Sequence, residues 1–167
     1  RKVALFSTNF LAATQTFIYN EIRSLKTTEI HVFSKKRMNE ERFPFDKVFA
    51  LRPTKNLKKF IESIIYEYFC YSKQFINIFK ENKYDLVHAQ FGPAGIYAMF
   101  YSKRFNLPLM VTFCGYDVGL LQTMRGFLPQ FLRYRLLSKI LTRRCTLVLA
   151  VSQELANRLI QVGVPAD

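Results

Sequence analysis

The sequence predicts an α/β fold in which a parallel β-sheet is covered by helices on both faces. Short runs of apolar, β-branched and aromatic residues alternate with longer stretches that have helical periodicity. The strand-like runs are apolar throughout rather than at every second residue, which is typical of strands buried on both sides. The connections between such strands are expected to be right-handed crossovers.

Six segments have the composition of buried strands: residues 3–6, 30–33, 48–50, 84–88, 109–113 and 147–151. The helical stretches between and after them are residues 14–26, 55–83, 92–106, 120–144 and 152–163. This order of elements predicts a Rossmann-like doubly wound parallel sheet of about six strands. We expect the whole chain, residues 1–167, to form one domain of ordinary size.

Capping residues indicate where several of these helices begin and end. Thr14 is placed to cap the first helix and Ser152 is placed to cap the last. Gly163 and Pro165 are then expected to end the last helix. The stretch 55–83 contains no Pro or Gly, so we expect one long, aromatic-rich helix there.

The charge of the chain points to anionic partners. The 167 residues carry 25 Lys and Arg against 12 Asp and Glu, a formal net charge of +13. A surplus of this size favours binding of phosphates, nucleic acid or anionic lipid, and charge alone does not choose among them. No apolar run reaches the roughly 18 residues of a membrane-spanning helix.

The cysteines and the N-terminus bear on compartment and processing. The three cysteines are odd in number and lack metal-type spacing, so we expect no metal site, no disulfide framework and a reducing compartment. The first residues lead directly into a strand, from which we expect no signal peptide. The chain begins with Arg1 rather than Met, which indicates a trimmed or partial sequence.

Polar residues follow the first strand, at the edge where doubly wound sheets bind ligands. There is no Gly-x-Gly-x-x-Gly and no Walker-type Gly-Lys-Ser/Thr segment, which argues against a nicotinamide, flavin or P-loop site. Thr14, Gln15 and Thr16 line the start of the first helix, where backbone N–H groups can hold an anion. Simple helix capping is the alternative.

The fourth strand leads into a second candidate segment. His88 and Gln90 lie two residues apart and so project to the same side of an extended chain. Gly92, which follows Phe91, would allow a ligand to approach the backbone at the start of the next helix. The alternative is a buried, hydrogen-bonded histidine followed by a turn.

The fifth strand is followed by Cys114, Gly115, Tyr116 and Asp117. Asp117 is placed either to accept hydrogen bonds from a sugar hydroxyl or to cap the helix that follows. Cys114 has no activating neighbour in sequence, and a buried, small apolar role is the alternative for it. His31 lies inside a strand pattern and is expected to be structural.

Four segments together resemble the N-terminal domain of retaining glycosyltransferases of family 4, which have the GT-B fold. Residues 14–22 (TQTFIYNEI) resemble the family's Ser-Glu-Thr-Phe-Ile-x-Asn-Glu-Ile, and residues 85–92 (DLVHAQFG) resemble its Asp-x-x-His-Ala-His-Phe-Gly. Residues 112–117 (TFCGYD) resemble its Thr-Phe-His-Gly-Tyr-Asp, and residues 150–163 resemble its Ala-Val-Ser ending. The resemblance covers nearly the whole chain.

The resemblance implies transfer of a sugar from a nucleotide-sugar to a glycan acceptor, with retention of configuration and without a metal or other cofactor. It is closest to enzymes that build bacterial capsule, exopolysaccharide or O-antigen on a lipid carrier. It implies that this N-terminal domain holds the acceptor and that a C-terminal nucleotide-sugar-binding domain is missing. The implied catalytic positions are Cys114 and Asp117. The implied substrate-binding positions are Thr14, Gln15, Thr16, His88, Gln90, Phe91, Gly92, Gly115 and Tyr116.

The sequence departs from the family pattern at three positions. Cys114 stands where the family has a His that contacts the donor sugar, and Cys cannot carry the charge of an imidazolium. Gln90 replaces the second His of its segment but still has hydrogen-bonding groups. Gln15 replaces a Glu and so removes a charge. These departures predict weakened chemistry, an altered donor or a degenerate copy.

A basic region follows the fifth strand. Residues 118–153 contain no Asp or Glu. On a helical wheel, one face carries Phe127, Phe131, Tyr134, Leu137 and Leu141, which suits core packing. The opposite face combines Leu128, Leu132, Leu136 and Ile140 with Arg125, Arg133, Lys139 and Arg143. Apolar residues among cations suit an anionic membrane surface, and a solvated face covering loops is the alternative.

Three functions follow from the sequence. The first is the acceptor-side domain of a glycosyltransferase, located in the cytoplasm and peripheral at the inner face of the bacterial plasma membrane. The second is a non-catalytic glycan- or lipid-binding or scaffold module derived from such an enzyme. The third, a nucleic-acid-binding domain, rests on charge alone and lacks a recognisable motif, so we expect no nucleic-acid partner.

Overall fold

The computed structural model describes residues 1–12, 15–51, 57–123 and 129–164. The chain has the six-stranded, parallel α/β architecture that the sequence predicts. It divides into two compact units, Arg1–Leu86 and Val87–Asp167. Within the described ranges, none of the helices combines the length and the apolar character needed to cross a bilayer.

The first unit contains three parallel strands and three helices. In chain order these are β1 (Lys2–Phe10), α1 (Thr16–Ser24), β2 (Glu29–Arg37), β3 (Val48–Ala50), α2 (Leu57–Phe69) and α3 (Lys73–Glu81). The strand order is β3-β2-β1, with Leu5 opposite Val32 and Phe33 opposite Phe49. Strands β1 and β2 extend four residues beyond the predicted ends, to Phe10 and Arg37.

The core of the first unit is aromatic. Phe33 lies fully buried at its centre. The centroid of its ring lies 5.1 Å from that of Phe6, 5.0 Å from that of Phe79 and 5.1 Å from that of Phe75. Burial of large rings is the main favourable term for folding, and their offset and edge-on contacts add to it.

The described part of the second unit contains the other three strands and four helices. They are β4 (Leu86–Gln90), α4 (Gly92–Phe105), β5 (Leu109–Phe113), α5 (Tyr116–Gln122), α6 (Pro129–Arg144), β6 (Leu147–Ala150) and α7 (Gln153–Gln161). The strand order is β4-β5-β6, and Val111 in the middle strand is opposite both Ala89 and Val148. The predicted cap at Ser152 is confirmed, since its side chain accepts a hydrogen bond from Leu155 N.

The single helix predicted for residues 55–83 is wrong, because the structure contains two helices there. The break lies at Cys70, whose φ of 58° is left-handed, and the Ser72 hydroxyl caps α3 by accepting from Phe75 N at 3.3 Å. The break allows both Tyr66 and Phe75 to be buried, with ring centroids 5.4 Å apart. A straight helix would place these two residues on opposite sides, because 9 positions at ~100° each leave them ~180° apart.

The aromatic residues of this region therefore divide between core and surface. Tyr66 and Phe75 are core residues. Phe60, Tyr68 and Phe69, by contrast, are exposed along α2.

The predicted basic helix, residues 120–144, is also interrupted. Helix α5 ends at Gln122 and α6 begins at Pro129. Arg135 turns back from α6 and donates to Leu121 O at 2.7 Å, so one cation of this region caps the end of α5. Arg125 lies outside the described residues, as does Thr14, and α1 begins at Thr16 with Gln15 at the cap position.

His31 has the structural role that its position in a strand predicts. Its Nδ1 lies 2.7 Å from the Tyr84 hydroxyl, and its Nε2 lies 3.0 Å from Glu29 Oε1. Glu29 also pairs with Lys47 and Lys2, and these contacts lower the pKa of its carboxyl to about 2. The network ties together the amino-terminal ends of β1 and β2.

Candidate functional site

Two of the predicted segments meet at the carboxyl ends of β4 and β5. These strands pair in parallel, with Gln90 opposite Thr112. The chain therefore leaves both strands at the same edge, toward α4 and α5. Phe91 N donates to Thr112 O at 2.9 Å and so joins the two segments at the point where the strands end.

The Asp117 carboxylate holds these two segments together. It has no exposed surface, and it accepts four backbone N–H groups. Oδ2 accepts from Gly92 N at 3.0 Å, and Oδ1 accepts from Cys114 N at 3.2 Å, Gly115 N at 2.9 Å and Val118 N at 3.1 Å. Burial raises the pKa of Asp117, while the four hydrogen bonds oppose that shift. Of its two predicted roles, Asp117 has the geometry of the cap.

The space beside Gly92 is filled by a side chain of the protein itself. A Cβ atom at Gly92 would lie 2.2 Å from the hydroxyl oxygen of Tyr134, which α6 places there. The hydroxyl is buried without a hydrogen-bond partner among the described residues, and burial together with the charge of Asp117 raises its pKa. The close approach that the sequence led us to attribute to a ligand is thus made by Tyr134.

His88 is buried and paired within the second unit. Its Nε2 lies 2.9 Å from Oγ1 of Thr112 on β5. Burial lowers the pKa of His88 to about 4, so the imidazole is neutral at physiological pH. This geometry is that of the buried, hydrogen-bonded histidine.

Gln90 and Phe91 directly precede α4 in the chain. Gln90 is fully buried at the end of β4, on the same strand as His88. Phe91 occupies the cap position of α4 with a φ of 71°, a backbone conformation that residues other than glycine rarely adopt. Such strain persists only where the surroundings demand it, and here two hydrogen bonds hold the segment: Phe91 N donates to Thr112 O, and Gly92 N donates to Asp117 Oδ2.

Four of the predicted residues reach the surface of this edge, and one of them, Phe91, is half-buried. Tyr116 is 60 % exposed, with its ring edge-on to Phe131. Cys114 is half-buried, and Gly115 adopts a φ of 111° with open space where a Cβ would project. A ligand at this edge would therefore meet the Tyr116 phenol and the backbone at Gly115 before any of the buried groups.

The predicted residues of the first unit lie at the start of α1. Gln15 is half-buried, and its Oε1 accepts from Ala12 N at 3.2 Å. Thr16 is exposed, and Thr14 lies outside the described residues. Gln15 thus stabilises the turn before the helix through its amide oxygen.

Over residues 131–143, helix α6 has a buried and an exposed face, as its sequence predicts, although Phe131 and Leu137 of the predicted core face are only half-buried. Phe127 and Leu128 lie outside the described residues. Tyr134 and Leu141 are buried. The opposite face exposes Leu132, Leu136, Ile140, Lys139 and Arg143.

Arg133 departs from this outer face of α6. It is half-buried, and its guanidinium carbon lies 5.3 Å from the centroid of the Tyr97 ring. This geometry is that of a cation–π contact, so part of the Arg133 charge is engaged by α4.

Two residues that support the site were not predicted. Thr112 lies in β5, at the start of the segment 112–117, and the sequence did not show that its hydroxyl meets His88. The helical wheel correctly assigned Tyr134 to the core-facing side of α6. It could not show that the Tyr134 hydroxyl lies against Gly92. Among the described residues, no three His, Cys, Asp or Glu side chains group as metal ligands do.

Solved structures with a similar fold include three sugar-nucleotide or sugar-transfer proteins. Anabaena Alr3699/HepE, in complex with UDP and glucose, matches with a TM-score of 0.65 and 18 % identity over 99 % of this chain and 42 % of its own. The lipopolysaccharide outer core galactosyltransferase WaaB matches with a TM-score of 0.62 and 14 % identity, over 99 % of this chain and 43 % of its own. UDP-N-acetylglucosamine 2-epimerase from Rickettsia bellii matches with a TM-score of 0.63 and 14 % identity, over 99 % of this chain and 42 % of its own.

These likenesses establish the fold, and the chain spans less than half the length of each of the three structures. No curated protein matches the chain. The family model described as Glycosyltransferase Family 4 matches residues 14–167. Since that match covers most of the 167 residues, the chain belongs to glycosyltransferase family 4.

Proposed function

We propose that this chain is the acceptor-side domain of a glycosyltransferase that moves a sugar from a nucleotide-sugar to a lipid-linked glycan acceptor. The observation that carries the proposal is the Family 4 match over residues 14–167. The complex of HepE with UDP and glucose, and the galactosyltransferase activity in the name of WaaB, support a nucleotide-sugar donor and a cell-envelope glycan as acceptor.

In the proposed reaction, the bond between the anomeric carbon and the diphosphate oxygen breaks. A bond forms from that carbon to an acceptor hydroxyl oxygen, the hydroxyl proton is released, and the nucleoside diphosphate leaves. The configuration at the anomeric carbon is retained, and no metal or other cofactor takes part. Stabilising the charge that develops on the leaving diphosphate is then the main electrostatic task, in a cleft completed by a C-terminal domain.

Within this proposal the site residues divide into contact and positioning groups. Tyr116, Cys114 and Gly115 are the contact groups, because they directly follow β5 and are at least partly exposed. Asp117 is a positioning residue, since all its contacts are with backbone N–H groups of the two helix starts. His88 acts in the same way through Thr112, as a neutral group.

The proposed location is the cytoplasmic face of the bacterial plasma membrane, where a lipid-linked acceptor would be found. The exposed face of α6 supports this location, because it presents Leu136 and Ile140 beside Lys139 and Arg143. Leucine side chains can enter the headgroup region while the cations pair with anionic lipids, each contributing about 1 kcal/mol near the surface.

Transfer is tested by incubating the full-length protein, including the proposed C-terminal nucleotide-sugar-binding domain, with a panel of nucleotide-sugars and a bacterial lipid extract, followed by mass spectrometry of the lipids. We expect one donor to add the mass of one hexose to a lipid-linked glycan. NMR of the product should show the same anomeric configuration as in the donor. Tyr116→Ala should lower the rate, whereas Tyr71→Ala, which removes another exposed tyrosine, should not. Absence of transfer and of donor hydrolysis across the panel would contradict the proposal.

The non-catalytic alternative is favoured by one residue, Cys114. A thiol cannot replace the charge of the imidazole that the family resemblance implies at this position. Cys114→His in the full-length protein separates the two functions, with Cys114→Ser as the size-matched control. A gain of transfer or hydrolysis with His and not with Ser supports an enzyme, whereas no gain in a protein that still binds glycan supports the binding module.

A further inference from the structure

A cavity lies in the first unit, at the carboxyl ends of β2 and β3. Its volume is about 450 Å³, within the range of roughly 300–1,000 Å³ that small-molecule sites occupy. Its lining residues are Lys36, Arg37, Glu40, Val48, Phe49, Ala50 and Gln74. Strand β2 ends at Arg37 and β3 ends at Ala50, so the cavity opens at the ligand-binding edge of these strands.

The guanidinium of Arg37 is the distinctive group of this cavity. The side chain is 17 % exposed, and its NH1 donates to Glu40 Oε1 at 2.9 Å. Its Nε is buried and has no hydrogen-bond acceptor among the described residues. A buried, charged donor that has no acceptor among the described residues is unfavourable, and an oxyanion ligand in the cavity would relieve this cost.

The charges around Arg37 favour an oxyanion as that acceptor. Lys36 adds a second cation at the rim, and Glu40, the one acidic residue of the lining, is 60 % exposed and therefore screened. The Nε edge of an arginine pairs with phosphate or carboxylate through two parallel hydrogen bonds. The cavity wall next to these cations is apolar and is formed by Val48, Phe49 and Ala50. Such a wall suits a ligand that has a carbon skeleton as well as an anionic group.

From these observations we propose that this cavity binds a sugar bearing a phosphate or carboxylate group, with the oxyanion on Arg37 and Lys36. The assignment of a sugar as the carbon body rests on the proposed function, in which this domain holds the acceptor. The acceptor glycan is then anionic. The run of cations at residues 35–37, which directly follows the predicted second strand, is the sequence signal for this site.

The test is isothermal titration of the protein with glucose 6-phosphate, glucuronate, glucose and inorganic phosphate. We expect one or both anionic sugars to bind at least about tenfold more tightly than glucose and than phosphate. The tighter of the two identifies phosphate or carboxylate as the oxyanion. Equal affinity for glucose, or for inorganic phosphate, would overturn the proposal.

Variants localise the binding. Arg37→Gln and Lys36→Gln should each weaken binding of the anionic sugar by about tenfold, because each removes a charged donor. Lys83→Gln removes an exposed cation outside the cavity and should have no effect. Unchanged affinity in Lys36→Gln, an exposed substitution that leaves the core intact, would contradict the site even if Arg37→Gln unfolds.

The result is independent of the transfer assay. Sugar transfer without binding of either anionic sugar would refute the cavity assignment and leave the proposed function standing. Binding of an anionic sugar that depends on Arg37, in a protein that neither transfers sugar nor hydrolyses donors, would refute the proposed function and leave the cavity assignment standing.

Discussion

Gly92 N donates a hydrogen bond of 3.0 Å to Oδ2 of Asp117, which lies 25 residues further along the chain. The other carboxylate oxygen accepts three N–H groups at the start of α5. One buried side chain thus sets the positions of two helix starts at the edge where doubly wound sheets bind ligands. The geometry presented to a substrate at Gly115 and Tyr116 therefore depends on Asp117, although Asp117 itself is not exposed.

Asp117→Asn should destabilise the protein by about 2–4 kcal/mol, because the amide has one acceptor oxygen for four N–H donors. For a chain of this length the melting temperature should fall by roughly 5–15 °C, which thermal unfolding followed by circular dichroism measures. Asp85→Asn is the control, since its exposed carboxylate accepts from Lys2 N and should contribute less than about 1 kcal/mol. Equal effects of the two substitutions would show that Asp117 does not join the two segments.

Gly92→Ala should destabilise the protein by about 1–3 kcal/mol, because the new Cβ would overlap the Tyr134 ring and hydroxyl. Gly119→Ala is the matched control, as it lies in α5 with open space around it and should be neutral or stabilising by up to about 1 kcal/mol. Urea denaturation measures both. A neutral Gly92→Ala would mean that Tyr134 does not occupy the space beside Gly92 in solution.

Stability should fall on acidification through the titration of His88. Burial holds its pKa at about 4, below the ordinary 6.5, so between these values the unfolded state binds more protons than the folded state. The stabilisation is present above pH 6.5 and is lost progressively down to about pH 4, for a total of about 3 kcal/mol.

Urea denaturation at a series of pH values checks this expectation. His88→Gln has no titrating ring, so its free energy of unfolding should vary less between pH 6.5 and pH 4 than that of the wild type. The remaining dependence should come from carboxylates and from His31, whose pKa burial also lowers. Parallel curves for variant and wild type would contradict a buried, neutral His88.

The exposed face of α6 should bind anionic lipid. We expect the protein to sediment with phosphatidylglycerol vesicles at low salt, to be released at high salt, and to ignore phosphatidylcholine vesicles. The double substitution Lys139→Gln and Arg143→Gln should weaken binding about tenfold or more, at about 1 kcal/mol per cation. The control removes two exposed cations from α4, Lys103→Gln and Arg104→Gln. Equal losses in both pairs would indicate nonspecific attraction by the net charge.

The strands were predictable because their signal is local. The limits predicted for β3 and β5 are confirmed to the residue, since each is a short apolar run between polar or turn residues. Strand β4 begins two residues later than predicted, at Leu86. The predicted strand includes Tyr84, but Tyr84 lies before β4, where its ring packs with its centroid 4.7 Å from that of Phe79 and its hydroxyl hydrogen-bonds to His31.

The helices were less predictable because their breaks depend on distant contacts. Nothing in the composition of residues 55–83 marks Cys70 as a break, since the stretch lacks Gly and Pro. The left-handed residue is stabilised by what it permits, the burial of Tyr66 and Phe75 together. Burial of two large rings outweighs a local backbone cost of order 1–3 kcal/mol.

By itself, the sequence determined the fold class and the family, because both rest on patterns read along the chain: alternation of apolar runs with helices, and four motifs in order. It also placed His88, Gly92 and Asp117 at strand ends. Only the tertiary structure decided what each of them does there. A hydrogen bond joins Gly92 to Asp117 across 25 positions, and Gly92 lies against Tyr134 across 42 positions. This geometry is set by how strands and helices pack, which no local pattern records.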